Sequence, residues 1–117
     1  MDVLKIMSLA VFSSDKYTRV PIKNSCGLVR LLCFEPNQEV ALHRHSEADE
    51  VFHVVTGAAA FTKGKETVRL EAGSIVKVEA RMFHGWKNGS TRLILFSVLI
   101  PLMSYNVAEQ AAKMEFP

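Results

Sequence analysis

The sequence predicts a single all-β domain, a sandwich or barrel of short strands. Nine short runs rich in β-branched and aromatic residues follow one another: YTRVPI, LVRLLCF, VALHRH, EVFHVV, AAAFT, TVRL, SIVKV, FHGW and RLILFSVLI. Turn signals separate them often: KNSCG at 23–27, EPNQE at 35–39, KGK at 63–65, EAG at 71–73 and KNGS at 87–90. Short strands punctuated by Gly or Asn at this spacing are the pattern of β-sandwiches and barrels. The composition agrees: 49% of the 117 residues are apolar and 22% are charged. That is a globular balance in a chain long enough for one core.

Taken in order, residues 3–12 read as a turn or two of helix ahead of the first strand. The strands then follow to about residue 101. Asn88-Gly89 is the strongest single hairpin signal, because a type I′ turn needs positive φ at both central residues. After the last strand, Ser104 is a helix N-cap candidate. Val107, Ala111 and Met114 then fall on one face at helical spacing, so residues 105–115 predict a short C-terminal helix docked on the barrel. No linker, repeat or low-complexity segment divides the chain, and residues 1–117 form one domain.

Several function classes are disfavoured. The formal charge is only +2 and no run of like charges exceeds two residues, so neither a nucleic-acid nor an anionic-membrane footprint is indicated. Cys26 and Cys33 lie seven apart with no CxxC, the usage of a reduced cytosolic protein. The N-terminus MDVLKIMSLAVF places Asp2 where a signal peptide needs basic residues, and Lys5 interrupts its apolar run. The longest apolar run, LILFSVLIPLM, falls far short of the roughly 20 residues of a membrane helix. A cytoplasmic location is expected.

The chemistry concentrates in ALHRHSEADEVFHVVTG, residues 41–57. Residues two apart on a strand point to the same side, so His43 and His45 share a face. Their backbones lie roughly 6.6 Å apart at about 3.3 Å per residue, close enough for two imidazoles to converge on one ion. SEAD reads as a turn. If it reverses the chain, Glu50 returns beside the histidines and supplies an anionic ligand, with Asp49 and Glu47 as rival acids. His84 lies in the apolar run RMFHGW and shares an inward face with Trp86. His53 is three positions from Glu50 and points to the opposite face.

The pattern His43-x-His45-x4-Glu50-x6-Gly57, followed by Gly73-x10-His84-x3-Asn88, resembles the two motifs of the cupin superfamily, written G-x5-H-x-H-x3–4-E-x6-G and G-x5-P-x-G-x2-H-x3-N. The resemblance covers roughly residues 28–101. It implies a double-stranded β-helix, or jelly-roll, barrel holding one divalent metal on His43, His45, Glu50 and His84. Asn37 stands where the first motif begins with Gly, a position where Asn also tolerates a left-handed turn. Glu79 and Arg81 replace the Pro and Gly of the second motif, which removes a φ lock and a permissive residue.

Phe52, Val54, Trp86 and Phe96 are core residues by type and are expected to line the cavity around the metal. Asn88 reads as a turn residue, and Lys63, Lys65 and Arg69 as solvated hairpin positions. Three imidazoles and a carboxylate suit iron, manganese, nickel, zinc or copper. On a six-coordinate ion they leave two neighbouring positions for water, dioxygen or a pair of substrate oxygens. No separate nucleophile is visible. The favoured function is a metal-dependent enzyme acting on a small organic molecule, of the dioxygenase, isomerase or lyase type that the resemblance implies. The alternative is a non-catalytic cupin that binds metal and a small ligand for sensing or storage. A homodimer is expected through the outer face, where Val51, Val55 and the apolar N-terminal segment would otherwise be wetted.

Overall fold

Each of the nine runs becomes a strand in the computed structural model, which describes residue 1 and residues 3–22, 28–102 and 111–117. The elements are α1(Ile6–Leu9), β1(Thr18–Pro21), β2(Val29–Phe34), β3(Glu39–His43), β4(Ala48–Thr56), β5(Ala58–Lys63), β6(Glu66–Glu71), β7(Ile75–Val78), β8(His84–Asn88) and β9(Leu93–Pro101). They form two antiparallel sheets, a five-stranded one in the order β1-β2-β9-β4-β7 and a four-stranded one in the order β3-β8-β5-β6. This is the jelly-roll arrangement that the motif pattern implied.

Period-two alternation decides what each strand contributes. Leu32 and Phe34 of β2, Phe52 and Val54 of β4, and Leu93 and Leu95 of β9 face the four-stranded sheet. There they meet Val40, Phe61 and Trp86 in one buried cluster. The alternate residues Leu31, Cys33 and Ile94 point outward into a second cluster, covered by Ile6, Leu9 and Phe12 of the N-terminal segment. The five-stranded sheet is therefore apolar on both faces, and the single turn of α1 is held by packing rather than by helix propensity.

The hairpin expected at Asn88-Gly89 is corrected by the topology. β8 and β9 belong to different sheets, so the connection crosses the barrel. Neither residue has positive φ. Asn88 is instead a buried tie. Its Nδ2 donates to Glu35 O at 3.0 Å and Thr91 O at 2.6 Å, and its Oδ1 accepts from Gly89 N at 2.9 Å. The tight hairpin is β5–β6, where Lys63 faces Glu66 across Gly64-Lys65 and Gly64 sits at φ +61°, as primed turns need. Gly57 carries the chain from β4 to β5 at φ +86°, and a Cβ there would stand 2.4 Å from Arg92 O.

Most of the helix expected over 105–115 lies outside the described residues, as does Cys26. At the described end, Ala111 is buried against Leu28, Ala48 and Leu99. Residue 115 is extended rather than helical. Arg44 and Glu115 form an isolated antiparallel bridge with both N–H···O contacts at 2.8 Å. Cys33 is a buried free thiol. Among the described residues no helix is long and apolar enough to cross a membrane.

Candidate metal centre

His43 ends β3, His45 lies in the turn that follows, Glu50 is on β4 and His84 begins β8. All four are buried, at 4%, 3%, 2% and 1% exposure respectively. One ligand atom from each lies within 4.8 Å of the others. Ligands on opposite sides of one ion stand about 4.2 Å apart at bonds of about 2.1 Å. The donor set thus needs only a small contraction to share an ion. The histidines come from the four-stranded side and the carboxylate from the five-stranded side, so the site bridges the two sheets.

The backbone selects which ring nitrogen faces inward. His43 Nδ1 is 2.8 Å from Ala41 O, His45 Nδ1 is 2.9 Å from Lys113 O, and His84 Nδ1 is 3.0 Å from Met82 O. A carbonyl only accepts, so each Nδ1 carries the proton and donates. Each Nε2 is then left with a lone pair, the state a metal requires. Nε2 of His45 and His84 stand 3.3 and 3.2 Å from Glu50 Oε1.

Glu50 divides its two oxygens. Oε1 faces the imidazoles, while Oε2 accepts from Ser97 Oγ at 2.5 Å and from Arg30 Nη2 at 3.2 Å. Burial works against the charge, but the contacts with His45, His84 and Ser97 outweigh it and hold the carboxyl well below the usual carboxylate range. Burial, reinforced by the neighbouring His84 and His45, lowers His43 from 6.5 to about 4 against the opposing pull of the Ala41 carbonyl. His43 therefore stays neutral at ordinary pH. The rival acids are placed elsewhere: Glu47 is exposed, and Asp49 Oδ1 accepts from Ala80 N at 2.8 Å.

A family model for the cupin domain matches residues 30–99, more than half of the chain. The chain belongs to the cupin family. Similar solved structures include a protein from Thermus thermophilus, with 25% identity, TM-score 0.79, and coverage of 86% of this chain and 98% of that one. An uncharacterized conserved Klebsiella pneumoniae protein with a double-stranded β-helix domain has 24% identity, TM-score 0.78, and coverage of 86% and 90%. A cupin superfamily protein from Desulfitobacterium hafniense has 18% identity, TM-score 0.71, and coverage of 84% and 89%. No curated protein sequence matches.

Two of the three departures from the cupin motifs, those that replace glycine, keep the backbone that glycine would supply. Asn37 sits at φ +68° and Arg81 at φ +72°. Arg81 N donates to His45 O at 2.8 Å, so the loop before His84 is tied to the turn carrying His45. Glu79, in place of proline, pairs with Lys63 Nζ at 2.7 Å.

Beside the four candidate ligands of this cupin lies a small cavity of about 20 Å3 that opens to solvent, room for about one water molecule in its enclosed part. Of the four side chains expected around it, Phe52 and Trp86 line it. Val54 is instead deep in the core, and Phe96 packs against the outer cluster. The reason is parity: on β9, Ser97 faces Glu50, so Phe96 faces away. Spacing missed Arg30, Ser97, Tyr17, Arg19 and Met114. Two of these carried a legible signal: Arg30 alternates with inward Leu32 and Phe34, and Ser97 with inward Leu95 and Leu99. A polar residue at an inward position of an apolar strand is costly unless it has a partner.

Proposed function

We propose that this cupin is a metal-dependent enzyme acting on a small organic molecule bound in the barrel cavity. One observation carries the reading: three buried imidazoles donate from Nδ1 to backbone carbonyls, and those of His45 and His84 converge through Nε2 on Glu50 Oε1. When bound, a divalent transition ion supplies Lewis acidity there and, for a redox-active metal, oxygen chemistry. The chain fixes the ring orientations through Ala41, Met82 and Lys113, and fixes the carboxylate through Ser97 and Arg30. Phe52, Val40, Trp86 and Leu32 exclude water and present an apolar wall to the ligand.

Elemental analysis of protein purified without a metal-chelating tag, beside His43→Ala, tests this. About one transition ion per wild-type chain and loss of it in the variant is the expected result. An empty wild type overturns the reading. Turnover of a candidate substrate by the loaded protein separates an enzyme from a module that only binds.

A homodimer and a cytoplasmic location belong to the same proposal. Met7, Ile75 and Ile100 remain exposed at 67%, 71% and 47%, and Cys33 is a free thiol, which suits a reducing compartment. Light scattering that returns the mass of one chain rejects the dimer.

A further inference from the structure

The cavity has an uneven wall. One side is apolar, built from Leu32, Val40, Phe52 and Met114, and the other carries Arg30, Arg19 and Tyr17. Two buried donors lack a hydrogen-bond partner among the described residues, Arg30 Nε and Trp86 Nε1, and both belong to side chains that line this cavity. Trp86 is 2% exposed and the Arg30 side chain 13%. Buried donors left unmatched are costly, and native interiors retain few of them.

Arg30 uses Nη2 on Glu50 Oε2, while its Nε, among the described residues, has no acceptor. At the mouth, Arg19 is anchored on the Tyr17 hydroxyl at 2.8 and 3.1 Å and on Met114 Sδ at 3.2 Å. Among the described residues the fixed charges lining the cavity are Arg19, Arg30 and Glu50, a net positive balance before any cation is added.

We infer that the ligand of this site is a small organic acid, its carboxylate received by Arg30 with the Trp86 indole N–H and its carbon skeleton against Phe52, Leu32 and Val40. The inference rests on the metal-site reading above for where the ligand's remaining oxygens go. An anion balances the cationic lining, a planar carboxylate matches the guanidinium fork, and an enclosed space of only about 20 Å3 keeps the acid small, with its far end at the open mouth. Phosphate fits less well, since only two buried donors await partners and the opposite wall is apolar.

The test uses malonate, its uncharged diamide and inorganic phosphate on manganese-loaded protein whose metal content has been measured. Trp86 is the sole tryptophan, so its fluorescence reports on the cavity directly. Calorimetry gives the affinity, and also serves Trp86→Phe. Malonate is expected to shift the fluorescence saturably and the diamide to leave it unchanged. Arg30→Met is expected to weaken malonate binding at least about tenfold, and Trp86→Phe by about threefold to tenfold. Arg19→Met touches no metal ligand and is expected to weaken binding with metal content intact. Malonate binding that depends on Arg30 in protein that takes up no metal supports the acid site and removes only the metal reading. Loaded protein that binds the diamide or phosphate as tightly as malonate overturns the inference and leaves the metal reading standing. So does malonate binding unchanged in both Arg30→Met and Trp86→Phe.

Discussion

Ser97 Oγ lies 2.5 Å from Glu50 Oε2, and both residues are buried. The two come from neighbouring strands, β9 and β4, with Ser97 opposite Phe52 and Glu50 opposite Leu99. The bond is diagonal across the ladder. It occupies one carboxylate oxygen and leaves Oε1 to the histidine side. Ser97→Ala is expected to keep the fold and lower metal affinity by about tenfold or more, the usual cost of losing an outer partner of a metal ligand. Competition against a chelator of known affinity measures it, and unchanged affinity would remove Ser97 from the design of the site.

The carboxylate identity has its own test. Glu50→Gln keeps the shape but removes the charge, so metal content is expected to fall to near zero. Asp49→Asn, one residue away, is expected to retain full metal content, because Asp49 serves Ala80 N rather than the site. Elemental analysis of both variants reads this out. Metal loss in Asp49→Asn would reassign the acid ligand.

Metal-free protein should lose stability on mild acidification. His43 is lowered from 6.5 to about 4 in the folded chain. Below pH 6.5 the unfolded chain takes up a proton at this residue that the folded one refuses. The sign therefore favours unfolding as pH falls, and the loss accumulates between about 6.5 and about 4. Denaturant midpoints of chelator-treated wild type and His43→Asn, compared across that window, isolate this residue. Parallel curves would refute the assignment.

The left-handed backbone at Arg81 predicts a gain from glycine. An L-residue there costs about 1–2 kcal/mol, and the extra freedom of glycine in the unfolded chain takes back part of that gain. Arg81 is exposed, so its side chain is expendable. Arg81→Gly is expected to raise stability by about 0.5 kcal/mol with metal content unchanged. Thermal unfolding checks it, and a lowered midpoint would show that the arginine side chain contributes more than the strain.

The histidines, Glu50 and the strand runs were legible because two periodicities are local. Alternation along a strand tells which side chains share a face, and turn residues mark where strands end. Asn37 and Arg81 were legible as departures from a motif, but the retained positive φ was not, since an arginine in sequence carries no sign of its backbone angle. Phe96 was misplaced for a related reason. Its parity on β9 was readable, but which parity faced the cavity was not until Ser97 was seen beside Glu50.

By itself the sequence determined an all-β domain and, through its resemblance to the cupin motifs, pointed to His43, His45, Glu50 and His84 as candidate ligands, because spacing along the chain fixes facing and motif order. Only the tertiary structure decided that β8 and β9 part into different sheets at Asn88, that Lys113 O orients His45, and that Arg30 and Ser97 share Glu50. Those contacts join segments 20–68 positions apart. No local period encodes them, since each depends on which strand pairs with which and in what register.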